Sequence, residues 1–243
     1  MEVRWFKKPK AGATIISGFQ GFGLVGTIAT EFLIDHLNAK QIGKIEGNKV
    51  VPMIAVHKGE VIEPLSIFYD EKENIVLIRS IVPLSNLEWE LADTVLEICD
   101  GIKARELITI EGISGFEDRA NEKNLKTFFF TQDAKRMKKL QSVGIEELKE
   151  GIILGVTASL ISKMKGATFI FSEAYSELPD SRSAAKIIEV LDKYLNLKVN
   201  YKPLIMKAEG FEKKVKELFV RGVDILKQKK VERFMIKYLF VYP

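Results

Sequence analysis

Gly21, Gly23 and Gly26 stand in the order G-x-G-x-x-G behind the apolar run ATIIS (13 to 17) and ahead of an amphipathic stretch, Leu24 to Leu37. Strand, glycine turn and helix in that order hold a dinucleotide pyrophosphate on the helix N-terminus against open backbone. Glu46 follows Gly26 by twenty residues and closes the run QIGKI (41 to 45), where an acid would take a ribose hydroxyl. Hydride transfer by a dinucleotide-binding oxidoreductase is the chemistry this pattern offers.

Two features oppose that chemistry. GFQ intervenes between strand and motif, and Phe19 and Phe22 stand where a pyrophosphate needs open backbone. A reaction centre is also missing. The two histidines are His36, inside TEFLIDHL, and His57, at a strand end, and both are expected to be structural or at the surface. The sequence contains no Walker A lysine motif, no H-E-x-x-H, no G-x-S-x-G and no Cys/His cluster with metal-ligand spacing. Glu117 and Asp118, in GISGFED, are expected to be solvated loop acids. The glycines are therefore expected to serve a tight turn and close helix packing, with no catalytic residue, no cofactor and no metal.

The elements that position these residues follow from the hydrophobic pattern. With 243 residues, 47% apolar and 29% charged, the chain can bury a full core. No apolar run approaches the length of a membrane span, and MEVRWFKKPK lacks the apolar stretch of a signal peptide. The single cysteine, Cys99, lies in the apolar pattern of a helix and is expected to be a small buried hydrophobe. Apolar runs of strand length lie at 13 to 17, 41 to 45, 50 to 56, 65 to 69, 75 to 82, 106 to 110, 126 to 131, 152 to 156 and 167 to 171. Helical periods lie at Leu24 to Leu37, Ser85 to Ile102, Gln132 to Gln141 and Thr157 to Lys163. The alternation predicts an α/β fold with helices packed on both faces of a central mixed sheet.

Beyond residue 175 the pattern changes. SRSAAKIIEVLDKYL reads as a helix capped by Asp180 or Ser181, with Ile187, Ile188, Leu191 and Leu195 in one stripe. The core domain is expected to span residues 1–200, with 201–243 a helical arm and tail. In the arm, Leu204, Ala208, Phe211, Val215, Leu218, Gly222 and Ile225 are spaced alternately four and three apart, which reads as a heptad seam or as an amphipathic helix lying on its own domain. The tail places Val231, Phe234, Met235, Tyr238, Leu239 and Tyr242 on one face if helical, and it also reads as an extended segment. From Lys207 onward ten basic residues face five acidic ones, whereas residues 1 to 206 hold 27 basic and 28 acidic. Interleaved acids make the arm a solvated helix face rather than a nucleic-acid site.

SGFQGFGLVGTIATEFLIDHL near the start, LPDSRSAAKIIEVLDKYLNLKVN late in the chain and the charged helix after it together resemble the proteasome assembly chaperone family in its archaeal branch, over roughly residues 10 to 220. The resemblance implies a domain related in architecture to purine nucleoside phosphorylases but used for protein binding. It implies a cytoplasmic homotetramer or homopentamer that binds proteasome core particle α subunits without ATP. It also gives Val241, Tyr242 and Pro243 a role, because they match the hydrophobic-Tyr-any ending that proteasome activators insert between α subunits. The final proline departs from the usual ending by fixing φ and removing an N–H. In the alternative, Phe211, Val215, Leu218, Ile225, Phe234, Met235, Tyr238 and Leu239 pack the arms and tails inside the oligomer, where they serve another partner.

Overall fold

Ile15 and Ile16 are neighbours in strand β2 (Thr14–Gly18) and both are fully buried, which requires cover on both faces of the sheet. The computed structural model describes residues 1–57, 59–114, 125–174 and 179–201. In it β2 lies in the middle of a nine-stranded mixed sheet. The other strands of that sheet are β1 (Glu2–Trp5), β3 (Lys40–Glu46), β6 (Leu65–Asp70), β7 (Ile75–Ser80), β8 (Glu106–Ser114), β9 (Thr127–Thr131), β10 (Glu146–Glu147) and β11 (Thr168–Ala174). The order is β1-β3-β6-β7-β2-β8-β11-β9-β10. Its centre, β7-β2-β8-β11, is parallel, while β1, β3 and β6 continue antiparallel on one side and β9 returns antiparallel on the other. β4 (Ala55–His57) and β5 (Glu60–Ile62) form a separate hairpin.

Among the described residues, five helices cover the two faces. Helix α1 (Val25–His36), α3 (Ala134–Ser142) and α5 (Ser181–Leu195) lie on the face that receives Ile16, Leu77, Ile108, Phe129 and Ile170. Helix α2 (Glu88–Gly101) and α4 (Gly155–Lys163) lie on the face that receives Ile15, Val76, Leu107 and Phe169. Alternate residues of each central strand thus feed two cores, which is the expected α/β arrangement. Asp180 caps α5 by accepting from the Ser183 amide at 2.9 Å, and Ser181 is the first helical residue. Ile187, Ile188 and Leu191 are fully buried along the predicted stripe.

Two predicted strands differ from the structure. IILGV (152 to 156) is a connection followed by the start of α4, not a strand. Gly155, at φ +71°, turns the chain into the helix, and Ile152 and Leu154 stand 87% and 72% exposed. Apolar character without a neighbouring strand does not form a ladder. In VVPMIAV only Ala55 and Val56 pair, as part of the short strand that ends at His57 and lies against β5, and Pro52 lacks a donor. Strands β1, β5 and β10 were not predicted, being short and without long apolar runs. Among the described residues no helix is long and apolar enough to cross a membrane. Glu117, Asp118 and the arm beyond Tyr201 lie outside the described residues.

Candidate functional site

In parallel α/β sheets ligands bind beyond the carboxyl ends of the strands, where the strand order reverses. Here the reversal lies between β2 and β8, because α1 leads from β2 toward β3 on one side and α2 leads from β7 past β2 to β8 on the other. The turn from Gly18 to Gly26 sits at that point, so the sequence motif is in the right place for a nucleotide. What fills the place is protein.

Each glycine of the motif meets a neighbour at a distance that leaves no room for a side chain. A Cβ on Gly26 would lie 2.5 Å from the Ile110 carbonyl oxygen, which is how closely α1 packs on β8. One on Gly21 would lie 2.5 Å from Glu111 Oε1, and one on Gly23 would lie 2.9 Å from the Ala174 Cβ. Gly23 also has φ +63° and is followed by Leu24 at φ +50°, so two consecutive left-handed residues swing the chain into α1. Phe19 is buried in the core beneath α2, and Phe22 packs against the core beneath α1. The two phenylalanines staple the turn to both faces of the sheet.

Glu46 does not stand near this turn. Strands β7 and β6 separate β3 from β2, a span of roughly 14 Å at the usual strand spacing. Glu46 instead pairs with Lys44 at 2.7 Å, and that contact holds its carboxyl below the usual range. His36 is exposed and stacks on Phe32, with ring centroids 5.9 Å apart. Cys99 is buried and its thiol is pushed up to about 12 by desolvation, which makes it an inert hydrophobe. Among the described residues no three His, Cys, Asp or Glu side chains group as metal ligands. The glycine pattern therefore describes packing, as the two phenylalanines imply.

The two segments that carried the family resemblance meet at this edge. The Asp180 amide donates to the Gly23 carbonyl at 2.8 Å, joining the LPDSRSA segment to the glycine turn. Ser183 Oγ lies 2.6 Å from the Glu173 carbonyl and 2.8 Å from Asp180 Oδ2, sharing its proton between two acceptors. Glu173 Oε2 accepts from the Lys126 amide at 3.2 Å, tying in the start of β9. Ser183 is fully buried and its proton is committed, so it is a latch rather than a nucleophile.

Three polar features of the structure were missed in the sequence. Glu111, on β8 beside Gly21, is pushed up to about 7 by burial, against a hydrogen bond from Thr157, and its Oε2 has no hydrogen-bond partner among the described residues. Arg79 of β7 forms a buried ion pair with Glu31 of α1 and lies 4.8 Å over the Phe68 ring. Glu106 accepts from Thr168 at 2.6 Å and from Tyr194 at 2.8 Å, which locks the opposite end of α5 to the sheet. The signal was a charge inside an apolar run, as in IVLIRS and ELITIEGI. An apolar surface was missed as well: Ile54, Val56 and Val61, on or beside the β4–β5 hairpin, are each more than half exposed. The expected partner-binding and packing residues, Phe211 through Pro243, lie outside the described residues.

The comparisons with known proteins agree with this reading of the fold. A model of the PAC2 family matches residues 15–219. An uncharacterised protein of Methanocaldococcus jannaschii is 28% identical over 222 residues, 90% of each chain. PbaA of Pyrococcus furiosus, an archaeal homolog of proteasome-assembly chaperone, has a crystal structure that matches with a TM-score of 0.80 and 26% identity, covering 92% of this chain and 99% of that one. PbaB of the same organism, an archaeal proteasome activator, matches with a TM-score of 0.71 and 21% identity over 89% of this chain and 98% of its own, a likeness of fold.

Proposed function

The chain belongs to the PAC2 family, and from that premise we propose that it is a non-enzymatic, homo-oligomeric homologue of the proteasome assembly chaperones. In this reading it acts in the cytoplasm without ATP or another cofactor. It engages proteasome core particle α subunits through Val241, Tyr242 and Pro243. The observation that carries the proposal is the match to PbaA over nearly the whole of both chains. The tight glycine turn supports it, because its glycines pack against Ile110, Glu111 and Ala174 while Phe19 and Phe22 anchor it in the cores on the two faces of the sheet.

The physical logic of the triplet rests on several weak contacts acting together. Burying the Val241 side chain and the Tyr242 ring gains about 2 kcal/mol each, and a terminal carboxylate pairs with a cationic pocket. One triplet binds weakly after ordering costs, while several on one oligomer raise avidity by about 10² or more. Phe211, Val215, Leu218 and Ile225 supply the seam that gathers the copies, in a tetramer or pentamer. A second reading, an activator docking on the finished core particle, is favoured by the hydrophobic-Tyr-any ending. In the self-packed form of the proposal, Phe234, Met235, Tyr238 and Leu239 hold the tails together until a partner releases them.

The test is a pull-down of core particles and of free α subunits with the full chain and with a variant lacking Tyr242 and Pro243. Loss of both captures, with an unchanged circular dichroism spectrum, is the expected result. Unchanged capture would overturn the docking role of the triplet.

A further inference from the structure

Strand β1 ends the nine-stranded sheet, and each of its two charged side chains stands directly opposite a like charge on β3. The antiparallel register with β3 sets Glu2 opposite Glu46 and Arg4 opposite Lys44. Like charges directly across a ladder repel. The β3 charges are satisfied among themselves and by a neighbour, since Lys44 Nζ lies 2.7 Å from Glu46 Oε1 and 3.1 Å from Glu63 Oε1. Glu2 and Arg4 are exposed and form no contact-distance ion pair among the described residues, although Arg4 attracts Glu46 diagonally across the ladder.

The backbone of β1 also has a side that no described strand pairs with. The Phe6 amide donates to the Ile42 carbonyl at 2.7 Å, in line with the β1–β3 register. Alternation along an antiparallel strand then turns the amides and carbonyls of Glu2 and Arg4 toward β3, and those of Val3 and Trp5 away from it. No described strand lies on that outer side. The Val3 and Trp5 side chains rest partly buried on the core beneath α2, and Glu2 and Arg4 project from the other face.

We propose that this edge pairs with the β1 edge of a second copy of the chain, antiparallel about a twofold axis at Val3. In that register the two Val3 residues exchange both of their backbone hydrogen bonds, and each Trp5 amide reaches the partner's Met1 carbonyl. Glu2 comes opposite the partner's Arg4, and by symmetry Arg4 opposite the partner's Glu2. Both pairs occupy the non-hydrogen-bonded positions, where side chains across a ladder are closest. The registers on either side set Glu2 against Glu2 or Arg4 against Arg4, so the charge order selects one alignment. Charges on an edge strand normally discourage pairing, but here their alternating sign makes the edge complementary to itself. A notch of about 310 Å³ beside β1 is lined by Val3, Trp5 and Ile98 together with Glu2, Lys8 and Glu97.

This pairing deepens the homo-oligomer reading in its tetrameric form, since a closed pentamer contains no twofold axis, and it uses none of the arm or tail, so its failure is distinguishable from failure of the docking triplet. The experiment is native mass spectrometry and light scattering of the full chain at low salt, with Glu2→Arg, Arg4→Glu, the double swap Glu2→Arg/Arg4→Glu, and Val3→Pro. Each single charge variant turns two attractive pairs into two repulsive ones and is expected to weaken the contact by about 30-fold, halving the assembly mass at micromolar protein. Val3→Pro removes an amide that faces away from β3 and is expected to act likewise. The double swap restores the wild-type mass, and an equimolar mixture of the two single variants forms mixed pairs. Each single charge variant is expected to keep the wild-type circular dichroism spectrum, which separates lost pairing from lost fold. A wild-type monomer, single variants that keep the wild-type mass, or single variants that stay apart on mixing would each overturn the proposal.

Discussion

Glu111 gives the most direct measure of whether the sheet edge at the glycine turn is closed. Its carboxyl is pushed from 4.5 to about 7 by burial beside Gly21. A raised acid binds its proton in the folded chain over a pH range where the unfolded chain has released it, so stability is greatest below about pH 4.5 and falls as pH rises through 7. A displacement of about 2.5 units corresponds to about 3 kcal/mol lost between those limits. Glu111→Gln keeps the shape and removes the titration. It is expected to unfold at a melting temperature about 6 to 12 °C above wild type at pH 8, with the gap closing toward pH 4.5. Thermal unfolding by circular dichroism in half-unit pH steps measures it. Parallel curves for the two proteins would refute the reasoning, because they would mean that water or a counter-charge reaches Glu111 and the edge is open.

Two further perturbations test the latch and the buried pair. Asp180→Ala removes the α5 cap and one of the two acceptors of Ser183, and is expected to cost about 1 kcal/mol, read as a melting temperature about 2 to 4 °C lower, with Asp180→Asn keeping most of the loss from appearing. Arg79→Met removes one half of the buried ion pair with Glu31 and is expected to cost about 3–5 kcal/mol in urea unfolding, while Arg79→Met/Glu31→Leu recovers most of it. If the double variant were no more stable than the single, the charge pair would not be the source of the loss.

The central strands and all five helices were legible because each carries a period that a single segment displays: paired isoleucines in β2, β-branched runs in β7 and β8, the 3.6-residue stripe in α5. Edge strands were not legible, since four residues with one face in water, as in EVRW, carry almost no pattern. IILGV misled for the opposite reason. Its apolar content was strong, but a strand exists only when another strand accepts its hydrogen bonds.

The glycine motif divides the two kinds of information most clearly. The sequence by itself determined that a tight turn joins a buried strand to a helix at Gly21, Gly23 and Gly26, and that Phe19 and Phe22 crowd it. Only the tertiary structure decided that Ile110, Glu111, Ala174 and Asp180 close over that turn, and that two strands hold Glu46 away from it. A turn's conformation is written in residues next to one another, whereas the space in front of it is set by residues some ninety and a hundred and fifty positions away. The same holds for Glu2 and Arg4: their alternation can be read in four letters, but the like charges they face on β3 belong to the register of the folded sheet.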